Sequence, residues 1–89
     1  MAKFSEHTRR NALRELIEAA IEDEMTGQLH EEVTDITLAI SPDLTEVYAG
    51  IDGCAPFEDG DESFDDWSIE HADSIGEAID IADLYFDLR

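Results

Sequence analysis

The sequence predicts an α+β domain: a small antiparallel sheet of two to three strands flanked by an N-terminal and a C-terminal helix, in the order α-β-β-(β)-α. Three observations carry that expectation. Apolar residues recur at helical spacing near both ends of the chain. They alternate with period two in the middle, and a Ser-Pro-Asp turn signal separates two of the alternating runs. The 89 residues suffice for one domain with a modest core, in which only about 60% of the unfolded surface is buried. No repeat, linker or low-complexity tract divides residues 1–89.

Residues 6–26 read as the first helix. Ser5 is placed to cap it. Leu13, Leu16, Ile17, Ala20, Ile21 and Glu24/Met25 then form a stripe at i, i+3, i+4, i+7, and Gly27 suits a left-handed terminus. Its charges oppose the macrodipole, with Arg9 and Arg10 early and Glu22, Asp23 and Glu24 late. Each such exposed charge costs from a few tenths to about 1 kcal/mol.

Val33 to Ile40 reads as a strand with Ile36, Leu38 and Ile40 on one face and Asp35, Thr37 and Ala39 on the other. Ser41-Pro42-Asp43 turns the chain, because proline fixes φ and the aspartate bonds nearby backbone. Thr45 to Ile51 follows as a second strand, antiparallel to the first, with Val47, Ala49 and Ile51 inward and Glu46 and Tyr48 outward. Trp67 to Glu70 reads as a short third strand with Trp67 and Ile69 inward. Ser74-Ile75-Gly76-Glu77 has the form of a capping box. Ile75, Ala78, Ile79, Ala82, Tyr85 and Phe86 extend it as a helix over 75–87.

Charge narrows the function. Twenty-four acids face five bases, a net charge of −19. Residues 1–14 hold Lys3, Arg9, Arg10 and Arg14 against Glu6; the remainder holds 23 acids and a single base, Arg89. Self-repulsion of this size opposes compactness and argues for disorder, but the apolar periodicity argues against it. Nucleic acid and anionic membrane are excluded as direct ligands, since both need Lys/Arg surfaces. No apolar run approaches the length of a membrane span, and Met1 to His7 does not form a secretory signal. The lone Cys54 cannot form an internal disulfide, which fits a cytoplasmic setting.

No constellation for catalysis emerges. The chain has no phosphate-binding Gly loop, no GxSxG elbow and no HExxH pair, so no enzyme, cofactor or metal is expected. His7, His30 and His71 are dispersed and read as surface residues. Cys54 reads as a small, partly buried residue at the end of the second strand. Six carboxylates in residues 58–66 offer oxygens of the kind Ca²⁺ takes, but without the EF-hand order. An 89-residue chain leaves little room for the cleft that a carboxylate-pair hydrolase needs.

The acids themselves are the candidate site. Asp73, Glu77, Asp80, Asp83 and Asp87 fall along one outward stripe of the second helix, successive members about 5–6 Å apart, a spacing broadly like that of phosphates along a nucleic-acid strand. Glu58, Asp59, Asp61, Glu62, Asp65 and Asp66 form a second cluster. Carboxylates pair well with the Arg and Lys that hold phosphate. Phe64 and Tyr48 are candidate partner contacts, whereas Phe57 and Trp67 read as pins holding the loop to the core. Arg9 and Arg10 are also placed to meet the acidic face of a second copy in a homodimer.

In size, charge density and mixed pattern the chain resembles the acidic phage and plasmid inhibitors of DNA-handling enzymes: anti-CRISPR, anti-restriction and uracil-glycosylase inhibitor proteins. The resemblance is one of class and rests on no shared motif. It implies a nucleic-acid mimic that binds and blocks the basic groove of a DNA- or RNA-handling complex without turnover, a CRISPR effector or restriction complex first. Two other readings use the same charge: a salt-adapted domain of a halophile, or an acidic chaperone or antitoxin covering a basic protein surface.

Overall fold

The structure, a computed structural model, describes residues 6–87, with the side chains of residues 6, 7 and 87 outside the described set. Ser5, the expected cap, also lies outside it. Helix α1 spans Glu6–Glu24, strand β1 Ile36–Ile40, strand β2 Val47–Gly50, strand β3 Ser68–Ala72 and helix α2 Ile75–Asp87. Short 3-10 turns occupy His30–Glu32 and Glu62–Phe64. The α+β arrangement expected from the sequence is present, with both helices on one face of a three-stranded antiparallel sheet.

The helices form where the stripes predict. Leu13, Ile17 and Ile21 of α1 are fully buried, with Leu16, Ala20 and Met25 packed at the margin. Ala78, Ile81, Ala82 and Phe86 carry the buried face of α2. Both faces meet Ile36, Leu38 and Ile40 of β1 and Val47, Ala49 and Ile51 of the β2 segment in a single core. Gly27 takes the left-handed conformation, with φ 79°.

Strand β1 starts three residues later than expected. Val33 is buried, but it follows the 3-10 turn, and Asp35 adopts φ 50°, which breaks the extended run before Ile36. The hairpin forms, pairing Ile40 with Val47 and Leu38 with Ala49, but its second strand is shorter than the expected Thr45 to Ile51 because Thr45 and Glu46 belong to the turn and Ile51 already leaves the ladder. Its turn is tied by Ser41: the Oγ accepts from the Thr45 and Glu46 backbone N–H groups, each at 3.0 Å, and donates to Asp43 at 2.8 Å.

The sheet order β2-β1-β3 forces a crossover. Both outer strands run antiparallel to β1, so residues 51–67 must cross β1 to reach β3. They cross on the face away from the helices. Gly50 shares that outer face with Tyr48, and a Cβ there would overlap the Cys54 carbonyl oxygen and lie 2.8 Å from the Ala55 carbonyl carbon. A bare glycine lets the crossover backbone lie directly on the sheet.

Strand β3 corrects the sequence reading. Trp67 and Ile69 do not point inward. Ile69 pairs with Ala39 on the outer face and is 42% exposed, while Ser68, Glu70 and Ala72 face the helices. A one-residue change of phase moves every side chain to the other face, and here both faces carry apolar cover, so alternation alone does not identify the core side. Glu70 is tolerated on the helix side because the Tyr85 phenol donates to it at 2.7 Å. Cys54 is likewise exposed rather than partly buried, because it sits in the turn leaving β2 with its backbone against Gly50.

Candidate functional site

The crossover loop packs four aromatic rings on the outer sheet face. Tyr48 stacks on Trp67 with centroids 5.4 Å apart and planes at 18°, and Phe57 stacks on Phe64 at 4.3 Å and 6°. Phe64 joins the two pairs, edge-on to Trp67 at 4.7 Å and tilted against Tyr48 at 5.4 Å. Such pairs add about 0.5–1.5 kcal/mol each beyond the area they bury. Ala39, between Tyr48 and Ile69 in register, is fully buried although it faces outward, so the outer face is covered too. Phe57 and Trp67 therefore pin the loop to the outer sheet face, not to the core under the helices. Phe64 is the centre of this layer, and Tyr48 remains 46% exposed.

Glu58, Asp59, Asp61, Glu62, Asp65 and Asp66 stand exposed around that layer. Asp61 also accepts from the Ser63 backbone N–H at 3.0 Å, capping the 3-10 turn that orients Phe64. The loop is thus an anionic rim fixed to a rigid aromatic base.

The stripe on α2 is more involved with the fold. Ser74 accepts from the Glu77 backbone N–H at 3.2 Å, and the Glu77 carboxylate accepts from the Asp73 N–H at 2.8 Å, which together cap α2. Asp80 and Asp83 face α1: Arg14 lies 3.3 Å from Asp80 and 3.8 Å from Asp83, and Arg10 lies 3.9 Å from Asp83. Arg9 and Arg10 also stand over the Phe86 ring at 5.9 and 6.0 Å. The reversed charge order of α1 has its explanation in these contacts, which place its early arginines against the acidic face of α2. Arg10, expected as a contact to a second copy, lies against Asp83 of its own chain. Asp73 is exposed, and the side chain of Asp87 lies outside the described residues.

The structure brings the loop acids together with Phe64 and Tyr48 on the outer face and leaves the α2 acids beside the helix layer. Sequence reasoning missed the pairing of Arg10 and Arg14 with α2; the dipole-opposed arginines were its only signal. The described bases Arg9, Arg10 and Arg14 all lie in the first half of α1, so among the described residues the crossover side carries carboxylates and no Lys or Arg.

Among the described residues, Asp43 and Tyr85 have displaced pKa values. Thr45 and Ser41 hydroxyls, at 2.7 and 2.8 Å, hold the Asp43 carboxyl below its ordinary range. Burial, with the Glu70 carboxylate beside it, pushes the Tyr85 phenol up to about 12. His30 lies 3.5 Å from Glu22 and His71 3.3 Å from Thr37, both exposed. Among the described residues no three His, Cys, Asp or Glu side chains group as metal ligands would, and no helix is long and apolar enough to cross a membrane. No protein-family model, curated protein or solved structure matches the chain.

Proposed function

We propose that this protein is a stoichiometric inhibitor that presents carboxylates, in place of phosphates, to the basic nucleic-acid-binding groove of a DNA- or RNA-handling complex. The observation that carries the reading is the segregation of charge. Two of the three described arginines face aspartates of α2, while six exposed carboxylates surround the aromatic layer on the opposite side of the sheet with no described Lys or Arg among them. A solvated face normally mixes both signs. A rim of one sign on a rigid base suits an Arg/Lys-lined channel, and complementary charge speeds association. CRISPR effectors and restriction complexes, which hold nucleic acid in such channels, are the first targets to examine. The reading involves no catalysis, cofactor or membrane. Reversing Asp61 and Glu62 to lysine should weaken capture of the target much more than reversing Glu15 and Glu18. Equal losses would leave only bulk charge as the explanation.

A salt-adapted domain is the second reading. It is favoured by acids that are exposed well away from the crossover loop, at Glu15, Glu18, Glu22, Asp23, Glu24, Glu31 and Glu32. Salt separates the two, because the Debye length falls from ~10 Å at 0.1 M to ~3 Å at 1 M. A cooperative circular-dichroism melt at about 50 mM KCl supports the inhibitor. A chain unfolded there and folded at about 2 M KCl supports salt adaptation.

A further inference from the structure

We infer that the free edge of β3, with the groove between it and the outer face of α2, docks an extended Lys/Arg-bearing segment of the partner by strand addition. The inference rests on the partner being a basic protein, as proposed above, and specifies how part of it is held. β3 ends the sheet, and among the described residues its backbone bonds to no element except β1. Alternate N–H and C=O groups of Ser68–Ala72 therefore point away from the sheet, the template that strand addition uses.

The groove beside that edge has a volume of about 430 Å³. Ala72, Ile81 and Leu84 contribute its apolar lining; Asp73, Glu77 and Asp80 contribute carboxylates. Leu84 is 53% exposed on the outer face of α2, and Ile69 of β3 is also exposed. Arginine and lysine combine an apolar stem with a charged head, so the stem suits Leu84 and Ile81 and the head suits the rim. In an added strand, side chains on one face repeat every two residues, about 6.6 Å, which lets basic residues address the groove while their neighbours face Ile69. A second copy of this chain would oppose one acidic rim to another, so charge complementarity selects a basic segment instead.

The test is an NMR titration of the full-length ¹⁵N-labelled chain at low salt with the peptide Ac-Arg-Val-Arg-Val-Arg-Val-NH₂. The expected result is shifts centred on residues 69–73 and 77–84, with slowed hydrogen exchange at the β3 amides that point away from β1. Leu84→Ser, a change at an exposed position, should lower peptide affinity about tenfold, as truncating an anchor does. The paired change Glu15→Gln with Glu18→Gln, at exposed α1 positions outside both acidic surfaces, should leave it unaltered. Shifts centred on 58–66, shifts without slowed amide exchange, equal losses in the two variants, or dimerisation through β3 in place of peptide binding would each overturn the inference. Should the peptide fail while the protein still displaces nucleic acid from a basic complex, strand addition is refuted and the inhibitor reading stands.

Discussion

The Tyr85 phenol donates to the Glu70 carboxylate at 2.7 Å, tying the last turns of α2 to the helix-facing side of β3. The bond lets an edge strand carry an acid toward the core. Tyr85→Phe removes the donor and should destabilise the domain by about 1–2 kcal/mol, read from urea denaturation midpoints. The raised phenol pKa sets a pH signature as well. The folded state holds this proton more tightly than the unfolded chain, so the contribution is complete below pH 10.0 and is lost as pH rises toward about 12. In Tyr85→Phe that alkaline slope should disappear.

Phe64 touches Tyr48, Phe57 and Trp67, so it holds the crossover loop as a unit. Phe64→Ala should cost about 1–3 kcal/mol, less than a fully buried phenylalanine because the ring is only half-buried. Trp67 fluorescence should shift toward that of a solvated indole. Target binding should weaken through loss of the rigid base under the carboxylates even where the domain stays folded.

Gly50 is required by close approach rather than by its dihedrals. Gly50→Ala places a methyl group in the Cys54 carbonyl, so the crossover must lift off the sheet. A severe loss of thermal stability is expected. An unchanged melting temperature would show that the crossover does not lie on this face.

Asp43 tests the hairpin. Its carboxyl is held below the usual value of 3.8 by Thr45 first and Ser41 second. The stabilisation is present above that value and lost as pH falls through the lower, folded-state pKa. Asp43→Asn should therefore be less stable than the parent at neutral pH, with the gap closing in melts carried from about pH 5 down to about pH 2.

Much of this architecture is legible in the sequence, for local reasons. The stripe from Leu13 to Ile21, the Ser41-Pro42-Asp43 turn and the cap at Ser74 each act over a few residues, and each appears where its pattern lies. The facing of β3 is not legible, because Trp67 and Ile69 are apolar whichever side they take, and only register with Ala39 assigns them outward. The pairing of Arg10 and Arg14 with α2 links residues 66 or more positions apart and follows from helix packing, which charge order along α1 merely hints at. In the candidate site, the loop acids were legible as a cluster, whereas their aromatic base depended on the crossover passing over the outer face.

The interhelical ion pairs also bear on how binding variants are read. Reversing Asp80 and Asp83 removes surface charge and breaks contacts to Arg10 and Arg14 together. The Arg14–Asp80 pair is exposed and worth less than about 1 kcal/mol, but the Arg14 Nε and Asp83 Oδ1 atoms are buried, so Arg14→Ala should destabilise by about 1–3 kcal/mol. Asp61 and Glu62 form no ion pair with the described arginines and give the cleaner test.

The most direct measurement is displacement of a labelled DNA or guide-paired duplex from purified CRISPR effector and restriction complexes by this protein. The account predicts displacement at stoichiometric amounts from a target complex, weakened by Asp61→Lys with Glu62→Lys, and loss of the protein's own capture by that complex when excess unlabelled nucleic acid competes. Capture of a basic protein whose binding neither DNA nor RNA can compete away, with no displacement from any nucleic-acid complex, would contradict it.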